Sequence, residues 1–395
     1  MNAHLNPAFT ELSLEELRQR RSAKWARYPD DVLPAWVAEM DFPLAEPVRR
    51  ALGEAIGRGD CGYAHPEALG LGEAFARFAA SRLGWSVDPT AVFPSSDVVS
   101  AITAVLRALT APGQRVVVTT PVYHPFFAAV EEVGCELAEA PLAAGGLDLD
   151  AIRRCFAEGA RALLLCSPHN PTGSVPSREE LAAVAEAAAQ HGAWVLADEI
   201  HAPLSLSGAD HVPFLAVSAE AARHGIAFSS ASKAFNVAGL RCAQIVTASE
   251  RAREVVERLP AGATHCGHHG AIASVAAFRE GDQWLDDALA VIDHNRELLG
   301  RLIAERLPAV RWTAPRAGYL AWLDLRDLGL GPDPSEAILE RGRLALSPGP
   351  QFGPQGAGFA RLNLGTSPAL VEEAVARIAR TADQPASLRA ASSSR

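Results

Sequence analysis

Lysine is almost missing from this sequence. Of 36 basic residues among 395, only Lys24 and Lys233 are lysines. Acids outnumber bases, giving a formal net charge of -10 and a pI near 5.7. That balance disfavours nucleic acid or an anionic membrane as the main partner, because both select a basic surface. No segment approaches the roughly 20 apolar residues of a membrane span. The N-terminal MNAHLNPAFTELSLEELRQRR lacks the apolar core of a signal peptide, so the expectation is a cytoplasmic protein. Cysteine is sparse too. Cys61, Cys135, Cys155, Cys166, Cys242 and Cys266 include no CxxC pair, which in so long a chain predicts reduced thiols. There is no internal repeat. The one low-complexity piece, ADQPASLRAASSSR, predicts a frayed tail.

What is present reads as a soluble globular protein, 49% apolar and 21% charged. A chain of 395 residues exceeds what one core usually serves, so two subdomains are expected. Short apolar runs recur: RVVVTT (Arg115–Thr120), ALLLCS (Ala162–Ser167), AWVLADE (Ala193–Glu199) and IAFSSAS (Ile226–Ser232). Each is continuous, as in strands buried on both faces. Helix-like stretches separate them. In SREELAAVAEAAAQHG, Ser177 and Glu180 form a capping box and Gly192 lies past the end. Strand and helix in alternation imply a parallel α/β sheet, whose ligands bind beyond the strands' carboxyl ends.

Polar residues follow the runs at those ends. After Leu163–Ser167 comes PHNPTG, with Asn170 inside a rigid turn. After Val195–Ala197 comes DEIH, and after Ile226–Ser229 comes SASK. Each alone has an ordinary explanation: a plain turn, a helix start, a surface lysine. Together and in this order they point to pyridoxal phosphate. That cofactor needs an amine for a Schiff base, a carboxylate for its pyridine nitrogen, a donor for its ring hydroxyl and a phosphate cradle. Lys233 supplies the amine and can act as base. Asp198 supplies the carboxylate, and Asn170 the amide donor. Ser230, Ser232 and Arg241 offer hydroxyls and a guanidinium fork to phosphate.

At these residues the sequence resembles fold type I pyridoxal-phosphate enzymes of the aminotransferase class I/II superfamily. More narrowly it resembles the MalY/PatB-like group of cystathionine β-lyases. The likeness runs from about Ser22 to Arg380, through SAKWARYPDDVLPAWVAEMDFPLAEPV, TTPVYHPFF, LLLCSPHNPTG, ADEIHAPL, ASKAFNVAGL and FARLNLGTS. WVAEMDF and YHPFF favour the lyases over ordinary aminotransferases. The resemblance implies an α/β fold in which 49–286 form a large cofactor domain around a mostly parallel sheet. The arm 1–48 and residues 287–381 would form a smaller α/β domain, with 382–395 as a tail. It also implies that Tyr123 stacks on the cofactor ring and assists catalysis, and that His201 lies near the cofactor. Tyr63 would reach the phosphate of a second copy, in a homodimer. Arg361 would grip the α-carboxylate of an amino-acid substrate, with Asn170 and the backbone of Val37 and Ala38 beside it.

One departure stands out. PSSDVVSAI should form the phosphate loop, through Ser96, Asp97 and Val98, where relatives carry glycine in place of Asp97. A carboxylate there repels phosphate unless it turns away or pairs, and Asp97 can turn back as an N-cap on Val99 or Ser100. Two other segments are set aside. THCGHHG groups His265, Cys266, His268 and His269 in no zinc spacing, so no metal is expected, and these side chains could line the substrate pocket. GPQFGPQGAGF (Gly349–Phe359) is no dinucleotide loop and reads as a flexible connection delivering Arg361.

The predicted reaction is an α,β-elimination on cystathionine or another cysteine S-conjugate, giving a thiol, pyruvate and ammonia. An aminotransferase would use the same residues up to the carbanion. A lyase of secondary metabolism, or a decarboxylating variant, acting on a bulky S-conjugate stays open. A regulatory binding role fits less well, since binding alone needs no Schiff-base lysine.

Overall fold

The apolar runs fold as strands, each a little shorter than the run itself. In a computed structural model describing residues 5–143 and 146–383, the chain divides into two compact units. The large unit comprises Pro43–Leu289 with Arg316–Gly318. Its strands are β1 (Val92–Ser95), β2 (Arg115–Val118), β3 (Glu136–Glu139), β4 (Ala162–Cys166), β5 (Trp194–Asp198), β6 (Gly225–Ser229) and β7 (Ala243–Val246). Among the described residues they make one seven-stranded sheet, in the order β1-β7-β6-β5-β4-β2-β3. From β6 to β3 the neighbours are parallel, and only β7 runs against its two neighbours. β4, β5 and β6 are buried at every position, hence their continuous apolar sequences.

The Ile226–Ser232 run is not strand throughout. β6 stops at Ser229 because Ser230 caps a short helix, Ala231–Ala234, accepting from the Ser232 amide. Strand order reverses between β2 and β4, since β3 flanks one side and β5 and β6 follow on the other. Such a reversal opens a crevice at the carboxyl ends of the strands. Helix α1 (Val98–Leu109) buries Val98, Ala101, Ile102, Val105 and Leu106, a three-and-four spacing, in one core with Val116, Leu164, Leu196, Ile226 and Phe228. Helix α2 (Arg178–Gln190) carries the predicted capping box, with Ser177 Oγ 3.2 Å from the Glu180 amide and Glu180 Oε2 2.7 Å from the Ser177 amide. Helix α3 spans His268–Glu280.

The small unit is formed by the described parts of Met1–Phe42, Ala290–Pro315 and Tyr319–Arg395. Strands β8 (Arg311–Trp312), β9 (Leu320–Asp324), β10 (Ser347–Pro348) and β11 (Phe359–Asn363) form an antiparallel sheet in the order β10-β11-β9-β8. Leu33–Pro34 pair in parallel with Leu344–Ala345. Helix α4 (Pro368–Ala382) packs Val371, Ala374, Val375 and Ile378 against Leu323, Leu344 and Leu362. It remains helical to Ala382, and residues 384–395 of the expected tail lie outside the described residues.

Gly349–Phe359 is not the flexible connection its glycines suggest. It folds as two 3₁₀ turns, Gly349–Phe352 and Pro354–Gly356, with Phe352 fully buried. A Cβ on Gly349 would lie 2.1 Å from the Gly356 carbonyl oxygen and 2.3 Å from that of Phe359. The glycine is there for close backbone packing, not for mobility. Among the described residues no helix is long and apolar enough to cross a membrane.

Candidate active site

In the large unit, the predicted residues gather at the carboxyl ends of adjacent strands. Asp198 closes β5 and is buried. Burial pushes its carboxyl up to about 6, against the Ile200 amide bonded to Oδ1 at 3.1 Å and the positive charge of Lys233. Lys233, beyond the end of β6, is therefore close enough for its charge to act on the buried acid. The short helix that carries it starts at Ser230, whose Oγ lies 2.6 Å from the Cys242 carbonyl and 2.7 Å from Ser232 Oγ. These two serines thus tie the Lys233 turn to the segment leading into β7.

The loop after β1 turns into α1 as expected, and Asp97 behaves as a cap. Its Oδ1 accepts the Ser100 amide at 2.9 Å, and Oδ2 accepts the Ser100 hydroxyl at 2.7 Å and that of Ser96 at 3.2 Å. Arg241 Nη2 completes the set, 2.8 Å from Oδ2. Partial burial opposes ionisation, but the Ser100 bonds, the Arg241 charge and the Ser96 bond together hold this carboxyl below its usual range. The carboxylate thus has a cap's donors and a counter-charge of its own. Val98 opens the helix and is buried.

Asn170 is buried in the turn after β4, with its amide donating to Cys166 Sγ at 3.3 Å. Tyr123 lies beyond β2, its ring edge-on to Phe126 at 5.9 Å. His201 is buried after β5, where a Cβ on Gly318 would come within 3.5 Å of Nδ1. The large unit also holds groups without a predicted role. His169 bridges the two strand ends of the crevice, with Nε2 3.2 Å from the Thr119 carbonyl and Nδ1 3.0 Å from Thr172 Oγ1. Burial pushes it down to about 4, so it is neutral. Glu199, next to Asp198, is buried and accepts the Phe214 amide at 2.6 Å. Burial raises its carboxyl to about 8, against the Phe214 bond and with help from the Asp198 charge. His211 Nε2 lies 3.7 Å from Glu199 Oε1, and burial pushes that imidazole down to about 3. A sequence cannot reveal these partners, because 211 and 214 reach 199 only through a loop.

THCGHHG lies beside the Arg241 segment. Gly267 donates to the Arg241 carbonyl at 2.9 Å, and a Cβ on Gly270 would sit 2.2 Å from the Leu240 carbonyl oxygen. His268 Nε2 is 3.1 Å from Asp60 Oδ1, His269 is 3.9 Å from Cys61 Sγ, and His265 Nδ1 contacts the Ala261 carbonyl. Tyr63, two residues beyond Cys61, is fully exposed.

In the small unit, Arg361 is buried on β11. Its Nη2 donates to Ser347 Oγ at 3.0 Å and to the Trp36 carbonyl at 3.1 Å, and its guanidinium lies 4.9 Å from the Phe352 ring centre. The Val37 carbonyl accepts Asn363 Nδ2 at 2.7 Å, and that of Ala38 accepts Tyr319 Oη at 2.9 Å. Sequence reading finds Arg361, Val37 and Ala38 but not Ser347, Asn363 or Tyr319. Those three are pinned to the arm by strand register, which no local pattern records.

The family model for aminotransferase class I and II matches residues 28–378. The chain belongs to that family. It is 38% identical to a cystathionine beta-lyase of Corynebacterium glutamicum, over 93% of this chain and 98% of the other. It is 34% identical to cystathionine beta-lyase PatB of Bacillus subtilis, over 92% and 97%. Among solved structures, cystalysin from Treponema denticola, which contains a pyridoxal 5'-phosphate cofactor, superposes with a TM-score of 0.88 at 26% identity, covering 95% of this chain and 98% of that one.

The residues of this member fit the family's cofactor. A buried carboxyl whose ionised form is disfavoured by desolvation suits a pyridinium partner, because a cation returns what desolvation takes away. Lys233 stands within electrostatic reach of it. The helix dipole at the amino end of α1 suits a phosphate dianion, with the Ser100 amide already taken by Asp97.

Proposed function

We propose that this protein is a pyridoxal-phosphate-dependent carbon–sulfur β-lyase, cleaving cystathionine or another cysteine S-conjugate to a thiol, pyruvate and ammonia. The observation that carries the cofactor chemistry is Asp198, buried at a strand end within reach of the Lys233 charge. A buried carboxylate whose charge costs desolvation gains most from a cationic partner, and a pyridinium is one. The two relatives named cystathionine beta-lyase favour β-elimination as the bond-breaking step. When bound, pyridoxal phosphate supplies an electron sink that makes the α-hydrogen of an amino acid removable.

The chain's own residues then divide the work. Lys233 Nζ would anchor the cofactor, and its amine would serve as acceptor for the substrate's α-proton. Asp198 would hold the pyridine nitrogen protonated. Asn170, Tyr123 and His201 would hold the ring, Asn170 as a donor and Tyr123 by stacking. The amides of Ser96, Asp97 and Val98 would hold the phosphate with Ser230, Ser232 and Arg241. Arg361 grips the α-carboxylate by two parallel hydrogen bonds, a role its planar fork suits better than a lysine would, with Val37 and Ala38 alongside. Tyr63, fully exposed in one chain, reaches the phosphate of a second copy, so the working species is a homodimer.

Purified protein should be yellow, and borohydride should fix the cofactor to Lys233, located by peptide mass. Cystathionine should then yield pyruvate and a free thiol with no keto acid added. A strict requirement for a keto acid would replace the lyase reading with transamination.

A further inference from the structure

The chain's second lysine has a setting opposite to that of the first. Lys24 is fully buried in the small unit, with Nζ 2.8 Å from Asp41 Oδ2. Nζ also donates to the Glu39 carbonyl at 3.2 Å. Asp41 Oδ1 accepts Trp25 Nε1 at 2.8 Å, and the Asp41 amide donates to the Gly365 carbonyl at 2.7 Å. A buried ion pair seldom stabilises a fold more than apolar residues of the same shape. What it supplies is a fixed geometry, and here it ends a series of such contacts.

Every carbonyl from Trp36 to Glu39 receives a side-chain donor of the small unit. Trp36 takes Arg361 Nη2 and Ser347 Oγ. Val37 takes Asn363 Nδ2, and Ala38 takes Tyr319 Oη. Glu39 takes Asn363 Nδ2 at 2.6 Å and Lys24 Nζ. The segment is thus held at each peptide, with Arg361 at one end and Lys24 at the other. A shift at Glu39 acts on Asn363, which grips both Val37 and Glu39 and lies two residues from Arg361 on β11.

We propose that Lys24, held by Asp41, is a positioning residue for substrate recognition. It fixes the Trp36–Glu39 segment against which Arg361 is oriented, and so sets how well the substrate carboxylate is read. This rests on the reading of Arg361 as the carboxylate anchor.

The test compares two ligands on the cofactor-loaded enzyme, with binding read from the cofactor's absorbance. L-methionine has the carboxylate and no sulfur on its β-carbon to eliminate, and 3-(methylthio)propylamine has the same amine and thioether without the carboxylate. The variants are Lys24→Met and the double variant Lys24→Met/Asp41→Asn, which leaves no lone buried carboxylate. Both should weaken L-methionine about tenfold or more, the loss expected of a misaligned charged hydrogen bond, while 3-(methylthio)propylamine and the cofactor's own Kd stay within about twofold. If Lys24→Met does not fold, the double variant carries the comparison. Equal losses for both ligands, or none for either, in a double variant that still melts cooperatively would overturn the proposal and leave Lys24 a purely structural residue. Arg361→Ala separates the two levels. If it erases the preference for the carboxylate while the Lys24 variants keep it, the anchor stands and the role of Lys24 falls. If wild type shows no preference, the anchor reading itself falls.

Discussion

Asp97 and Arg241 meet at 2.8 Å beside the first turn of α1. Under the proposed phosphate-binding role of this loop, the pairing removes the repulsion that the Asp97 carboxylate would exert. Two of the acid's needs are met at once, since Ser100 and Ser96 occupy it as a helix cap and Arg241 cancels its charge.

The pair should therefore act on cofactor affinity as one unit. Arg241→Ala exposes the carboxylate to the phosphate and removes a donor, and should weaken cofactor binding about tenfold or more. Asp97→Asn retains an acceptor for the cap and should change affinity by only a few fold. The double variant should lose less than Arg241→Ala alone, with a coupling of about 0.5–3 kcal/mol. Cofactor titration of the four proteins checks this, and strictly additive losses would show that Arg241 serves phosphate without shielding Asp97.

The strands of the large unit and the residues at their ends are legible because each is local. β4, β5 and β6 are written as unbroken apolar runs, and Asn170, Asp198 and Lys233 follow them within a few positions. The Ser177–Glu180 box and the Asp97–Ser100 cap each join residues only three positions apart. What stays hidden is tertiary. His211 and Glu199 are joined across a loop, and Lys24 and Asp41 are neighbours only because the arm folds back. The Gly349–Phe359 segment misleads for a related reason. Glycine serves mobility and close packing equally well, and only the facing carbonyls tell which.

Lys233→Ala should remove both the anchor and the proton acceptor. Turnover should fall by at least the factor of about 10²–10⁴ typical of a lost general base. Borohydride should then leave no cofactor on the peptide spanning Ser230–Arg241. Asp198→Asn should instead keep the covalent anchor while lowering cofactor affinity and turnover together, because the ring nitrogen loses its ionic partner. Retained labelling with lost turnover in Asp198→Asn is the pattern that distinguishes the two roles.

Arg361→Lys keeps the charge but not the fork. A point charge cannot hold a carboxylate by two parallel bonds while also reaching Ser347 and the Trp36 carbonyl. KM for a cysteine S-conjugate should rise about 10–100-fold, as for loss of a charge-assisted hydrogen bond, with the cofactor's absorbance unchanged. Steady-state kinetics with pyruvate detection measures it. An unaltered KM would move the carboxylate site elsewhere.

Glu199 offers a stability prediction with a definite sign. Its folded carboxyl is raised to about 8 from an ordinary 4.5. The native state therefore binds more protons than the unfolded chain between those values, and stability must fall as pH rises through that window. Two neighbours titrate elsewhere. Asp198, raised to about 6, adds its own fall below that pH. His211, lowered to about 3 from 6.5, makes stability rise with pH up to 6.5 and contributes nothing above it. Between pH 6.5 and 8 the falling contribution is that of Glu199, opposed by Cys266, whose thiol the Cys242 bond holds below its usual range. Glu199 should account for a loss of about 2 kcal/mol across that interval in cofactor-free protein, one pKa unit being worth about 1.4 kcal/mol. Glu199→Gln retains an oxygen for the Phe214 amide but cannot ionise, so it should flatten the profile while leaving the cooperative transition intact. Denaturant unfolding at closely spaced pH values measures both proteins. A slope that persists in Glu199→Gln would assign it to another group and leave Glu199 as an acceptor for Phe214 alone.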